Sequence, residues 1–134
     1  MALTQDRNTP VRKNLDFEFP LAASTKIFAG SIACLNSSGL LTKGAATTGL
    51  KAVGVSQACF DNSSGAASAI KGKVSRGCYK FANSSSTDAI TLADYGSDCY
   101  IVDDQTVAKT SGSSTRSVAG KIRDVESDGV WVEF

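Results

Sequence analysis

Apolar and polar residues alternate with a period of two along much of this chain, the pattern of strands that bury one face. The clearest run covers residues 117–134. Val118, Gly120 and Ile122 fall on one side of an extended chain, and Lys121 and Arg123 on the other. After Glu126-Ser127-Asp128-Gly129 the pattern resumes, with Val130, Val132 and Phe134 on one side and Trp131 and Glu133 on the other. Alternation on both sides of a Gly-ended loop predicts a β-hairpin. Phe134 falls on the apolar side, so this last strand is expected to dock into the body.

The same reading gives strands upstream. Residues 26–35 are β-rich, with Gly30 marking a bulge or tight bend. Asn36-Ser37-Ser38-Gly39 is a turn, after which residues 40–42 return. Residues 50–60 predict one strand, with Val53 and Val55 flanking Gly54. Residues 69–74 and 78–82 predict two more, paired through Arg76-Gly77. Residues 100–102 and 106–109 flank an Asp103-Asp104-Gln105 turn. One helical turn is expected at Leu92-Ala93-Asp94-Tyr95-Gly96, with Thr91 as N-cap and Gly96 as terminator. No segment holds a 3.6-residue period over three turns, and no long repeat is visible. The expected fold is all-β: a small β-barrel or β-sandwich of short antiparallel strands, with an extended N-terminal arm and at most one short helical turn.

The arm is the departure from this pattern. Residues 1–21 hold both prolines, Pro10 and Pro20, and mixed charges without sustained periodicity. Thr9 and Phe19, each preceding a proline, are pushed toward extended conformations. Asp16-Phe17-Glu18-Phe19 alternates, so the end of the arm is expected to add a strand. The domain organisation is therefore an arm over 1–21 and a single β-domain over 22–134. Leu3, Val11, Leu15, Phe17 and Phe19 are apolar enough to dock on a partner; the alternative is a frayed tail. Fully extended, such an arm reaches on the order of 65 Å.

Composition narrows the function classes. The chain has 134 residues and a net charge of +1, so no broad field attracts nucleic acid or an anionic membrane. The N-terminus lacks the apolar core of a secretory signal, and no stretch is apolar enough to span a bilayer; synthesis and folding in a cytosol are expected. With no histidine, the commonest general base is missing. Asp103 and Asp104 are read as a turn rather than an acid/base or metal pair. A Ca²⁺ site from Asp94, Asp98, Asp103 and Asp104 lacks the loop pattern such sites use. Cys34, Cys59, Cys78 and Cys99 have spacings unlike those of a zinc site and are expected to be reduced, buried thiols. Three Asn-Ser-Ser triplets, at Asn36, Asn62 and Asn83, are read as polar turns. Trp131 is expected to pack rather than stack a base or sugar. No catalytic, cofactor or metal residues are assigned, and the chain is expected to be an interaction protein rather than an enzyme.

Certain residues also carry a resemblance. The opening Met1-Ala2-Leu3-Thr4 with Arg7-Asn8-Thr9 is followed in order by Ala29-Gly30-Ser31-Ile32, Gly49-Leu50-Lys51-Ala52-Val53-Gly54, Asp61-Asn62-Ser63, Arg76-Gly77 and Phe81-Ala82-Asn83-Ser84. Asp98-Cys99-Tyr100-Ile101-Val102-Asp103-Asp104-Gln105-Thr106-Val107-Ala108 is the most specific run, and Ala119-Gly120-Lys121-Ile122 leads into Gly129-Val130-Trp131-Val132. Together they resemble the capsid decoration, or head-cement, proteins of Mu-like tailed phages and prophages. The resemblance implies a virion protein on the outer capsid surface, made in the bacterial host cytoplasm. It would bridge major capsid protein subunits as a homotrimer, without cofactor, nucleic acid or membrane. The arm residues implied to bind the capsid are Leu3, Arg7, Val11, Arg12, Leu15, Phe17 and Phe19. The competing expectations are another phage component, such as a tail-tube or baseplate protein, and a small hydrolase or carbohydrate-binding module using the aspartates and Trp131.

Overall fold

A computed structural model describes Ala2, Thr4, Gln5, Arg7, Asn8 and residues 15–134. The described residues form strands β1 Asp16–Pro20, β2 Thr25–Ile27, β3 Ile32–Leu35, β4 Leu41–Lys43, β5 Lys51–Ser56 and β6 Phe60–Asn62. There follow β7 Lys71–Ser75, β8 Cys78–Asn83, β9 Asp98–Ile101, β10 Thr106–Ala108, β11 Val118–Glu126 and β12 Gly129–Glu133. They assemble into a five-stranded sheet, β1-β7-β5-β3-β4, a closed barrel, β10-β8-β12-β11-β9, and a β2-β6 ribbon. The fold is all-β with a small barrel, as the alternation predicts.

Two apolar clusters organise this arrangement, and β3 belongs to both. Ile32 and Cys34 join the barrel cluster, with Phe81, Ile90, Cys99, Ile101, Val107, Ala119, Ile122, Val130 and Val132. Ala33 belongs to a second cluster with Leu21, Ile27, Leu41 and Val74, and Leu35 packs against it. Successive strand residues point to opposite faces, so one strand supplies a wall to each cluster. Burial of each large aliphatic side chain contributes about 1.5–3 kcal/mol. Ser117 ties the halves together in polar terms: its hydroxyl donates to the Thr47 carbonyl at 2.7 Å and accepts from the Leu50 N–H at 3.0 Å.

Several local expectations hold. The Gly30 bend separates β2 from β3, with Gly30 at φ 83°. The 36–39 turn joins β3 to β4, which pair antiparallel. The C-terminal hairpin is β11–β12.

Others need correction, and most trace to bulges or to long-range pairing. Val118 was expected on the inner side with Ile122, but Val118 is exposed and Ala119 is buried. The pairing of β11 with β9 shifts register between Val118 and Gly120, and the extra residue reverses the alternation. The single strand expected over 50–60 is two, β5 and β6. Within β5, Val53 and Val55 are two apart yet face different clusters. The register slips opposite Ala33 and Cys34, where Gly54 adopts φ 137°. β7 and β8 do not pair with each other. β7 lies between β1 and β5, β8 between β12 and β10, so residues 76–77 pass the chain from one sheet to the other. Val74 faces the second cluster while Phe81 faces the barrel cluster, and a hairpin would force both onto one sheet. β8 and β10 run parallel, which the long connection between them permits. Two short 3-10 turns occur, Ser86–Asp88 and Leu92–Asp94, where at most one was expected.

The end of the segment over 1–21 adds a strand, as its alternation leads one to expect. Asp16–Pro20 pairs antiparallel with β7, and Leu21 is fully buried in the second cluster. The alternation Asp16-Phe17-Glu18-Phe19 makes this part of the body.

Candidate functional site

The leading segment enters the fold at one edge of the five-stranded sheet. β1 is an edge strand with β7 on one side. Just outside the strand, the Leu21 N–H donates to Ile70 O at 3.0 Å, and the Arg76 N–H donates to Leu15 O at 3.0 Å. Both bonds follow the strand register, and both fall on odd-numbered residues of the leading strand. In an antiparallel ladder the bonded groups recur at every second residue. Residues 15, 17, 19 and 21 therefore turn their main-chain groups toward β7, and Asp16, Glu18 and Pro20 turn theirs away. Ala22, the next even residue, donates its N–H to Leu41 O of β4 at 2.9 Å, and Leu21 bridges Leu41 in parallel. The sheet thus begins to close on itself just past β1 and, among the described residues, leaves β1 open. The open edge offers the N–H groups of Asp16 and Glu18 and the carbonyls of Asp16, Glu18 and Pro20.

The two faces of β1 differ chemically. Phe17 and Phe19 point toward the second cluster, their rings stacked at 6.3 Å between centroids. With Ala52, Val53 and Arg76 they line a groove of about 310 Å³. The opposite face carries Asp16 and Glu18, which with Phe17 and Lys73 border a hollow of about 350 Å³. Asp16 lies 3.2 Å from the Lys73 ammonium. The Ser75 hydroxyl first, and then Lys73, hold the Asp16 carboxyl below the usual carboxylate range.

Of the residues implied to bind a partner, Phe17 and Phe19 are half-buried at this groove and Leu15 is 55% exposed beside it. Arg7 is exposed, and Leu3, Val11 and Arg12 lie outside the described residues. Ala52, Val53, Lys73 and Arg76 are not among the binding residues that the sequence implies. No local pattern marks them, because strands far apart in sequence bring them beside β1.

The other candidates disperse. The Asp103 carboxylate accepts the Gln105 N–H at 2.9 Å, an Asx turn, and the Asp104 carbonyl accepts the Ile32 N–H at 2.8 Å. Asp94 pairs with Lys109 at 2.9 Å and Asp98 with Lys121 at 2.7 Å. The Thr91 N–H donating to the Asp94 carboxylate, and then Lys109, lower the Asp94 pKa. Among the described residues no group of three or more His, Cys, Asp or Glu could hold a metal ion. Cys34 and Cys99 are buried free thiols, as expected; Cys59 and Cys78 are free but exposed, a correction. Burial pushes the Cys34 thiol up to about 12 and the Cys99 thiol to about 11. Trp131 is half-buried on the outer side of β12, with the Lys80 ammonium 5.8 Å from its ring centroid.

The three asparagine triplets are locks of different depth. The Asn36 carbonyl oxygen accepts the Ser38 and Leu40 N–H groups. Asn83 exchanges a reciprocal pair of bonds with the Ile90 main chain, at 2.8 and 2.9 Å. Asn62 is 3% exposed, and its amide donates to the Ala22 and Ala66 carbonyls at 2.8 and 2.9 Å.

No protein-family model, curated protein or solved structure matches the chain.

Proposed function

We propose that this chain is a virion structural protein that decorates an icosahedral phage head, binding the outer capsid surface and bridging major capsid protein subunits. The observation that carries the reading is the collinear series of segments resembling head-cement proteins, above all Asp98 to Ala108, which here forms β9, its turn and β10. The geometry is compatible with that role: the leading residues enter through an exposed edge strand, beside an apolar groove.

The mechanism is multivalent stapling. A protomer of this size offers a partner about 800 Å², which alone gives modest affinity. Joining three protomers makes the later contacts intramolecular and raises avidity by about 10²–10⁴. Leading residues that lie extended on the shell gain main-chain hydrogen bonds without a deep pocket. They also reach subunits beyond the domain itself. Packaged DNA pushes outward, and staples across subunit joints oppose rupture.

The test deletes residues 1–14, which spares the Leu15 carbonyl bonded to Arg76. The truncated and full chains are each sedimented with purified heads. The truncated chain is expected to lose most of its binding while keeping its melting temperature. Equal binding by the two would sink the arm mechanism. Failure of the full chain to bind heads, together with growth into stacked rings or tubes, would favour a tail component instead.

A further inference from the structure

We infer that the open edge of β1 is a strand-addition site for an extended segment of a partner protein in which apolar residues alternate with basic ones. Capture of such a segment would serve any partner and does not require a phage head.

The main chain sets the first requirement. Two N–H groups and three carbonyls, at Asp16, Glu18 and Pro20, point away from β7, and the nearest neighbour on that side, β4, is engaged only at Leu21 and Ala22. A strand laid here completes the ladder at the usual 4.7–4.9 Å or so between strands.

The side chains set the second. One face of β1 packs Phe17 and Phe19 against the second cluster, and the other carries Asp16 and Glu18 beside a surface hollow. An added strand places alternate residues beside Phe17 and Phe19, on the side away from β7, where the half-buried rings take aliphatic side chains. Its other residues lie beside Asp16 and Glu18. Among the described residues Asp16 is engaged with Lys73, which the register also sets opposite Glu18 on the β7 side; Glu18 itself is exposed, has no ion pair, and is the nearer charge to a strand on the open side. Opposite charges on adjacent strands of one face attract, so lysine or arginine belongs there.

The same charges exclude the other obvious occupant. Antiparallel pairing of two copies centred on β1 sets Glu18 against Glu18. Edge carboxylates and a proline also protect a sheet from indiscriminate pairing. The edge is thus open to basic strands and closed to acidic ones.

The experiment is an amide-detected NMR titration of the full chain with three end-capped hexapeptides. One alternates lysine and valine, one alternates glutamate and valine, and one is the lysine–valine peptide with N-methylated amides. Saturable shifts centred on Asp16, Phe17, Glu18 and Phe19 are expected with the first peptide alone. Glu18→Pro removes an outward N–H and the carboxylate together without removing a bond to β7, and is expected to weaken binding by at least about fivefold, the worth of one main-chain hydrogen bond alone. Glu18→Lys is expected to weaken it at least as much, and serves alone if the proline variant loses its native spectrum. The inference is overturned by absent shifts with the lysine–valine peptide, by shifts centred elsewhere, or by binding of either other peptide as tight as that of the lysine–valine peptide. Concentration-dependent broadening of β1 without peptide also overturns it, since the occupant would then be a second copy.

Discussion

Asn62 is the most informative residue to change. It is polar and 3% exposed, and its amide donates to the Ala22 and Ala66 carbonyls at 2.8 and 2.9 Å. Asn62→Ala removes both donors; the Ala66 carbonyl keeps the Ala69 N–H at 3.2 Å, while the Ala22 carbonyl is left beside a cavity without its donor. A neutral hydrogen bond contributes about 1 kcal/mol net, and each carbonyl left without a partner costs about 1–3 kcal/mol. Partial access of water to the loop sets the expected loss at about 2–4 kcal/mol, or on the order of 10 °C in Tm for a chain of this length. Asn36→Ala is the control, since it occupies the same Asn-Ser-Ser triplet. Its Oδ1 serves the N–H groups of Ser38 and Leu40 in an exposed turn, where water can replace it. A loss of about 0.5–1 kcal/mol is expected there. Urea melts of the parent and both variants, fitted with a common slope, make the comparison. Equal losses for the two variants would refute the claim that burial, not the triplet, sets the cost.

Other outcomes follow from particular sites. Asn62→Asp keeps the shape but aims a carboxylate at two carbonyls. Its pKa should rise above the unfolded value of about 3.9, so stability is retained in acid and lost as pH rises through the folded pKa; a Tm deficit against the parent that shrinks as pH rises from about 3 to 7 would contradict this. Native-state alkylation should label Cys59 and Cys78 and spare Cys34 and Cys99 until the chain unfolds, as mass spectrometry of digests would show. Gly54→Ala should be among the most damaging single substitutions, because its Cβ would sit 2.4 Å from the Ser75 carbonyl at φ 137°; a Tm within a few degrees of the parent would refute that. For the parent chain, the carboxyls of Asp16, Asp61, Asp88, Asp94 and Asp128 are all lowered, Asp61 to about 2 through the Ser63 hydroxyl and N–H and then Lys26. Their contribution is present above the unfolded pKa of about 4 and is lost as pH falls through the folded values, so Tm should hold to about pH 4 and then decline toward pH 2.

What was legible in the sequence was local. The β11–β12 hairpin, the Gly30 bend and the 36–39 turn each depend on residues within a few positions of one another, and the alternation reported them. Bulges were not legible, because a register slip is decided by the facing strand: Val118 turns outward on account of its pairing with β9. The partners of β7 and β8 were hidden for a related reason. Nothing near residues 76–77 says that Val74 and Phe81 belong to different clusters. At the candidate site Phe17 and Phe19 were visible from their own alternation. Ala52, Val53 and Arg76 become neighbours only when β5 and β7 assemble. The cysteines make the same point. All four sit beside apolar residues in sequence, yet only Cys34 and Cys99 face a cluster.

Because β3 has no side turned to water, this chain is indivisible. Neither half could be excised, duplicated or grafted elsewhere without leaving Ile32 and Cys34, or Ala33, against solvent. Variation during descent must then accumulate at the rims and loops, while the four residues of that shared partition change only in concert with both of their surroundings.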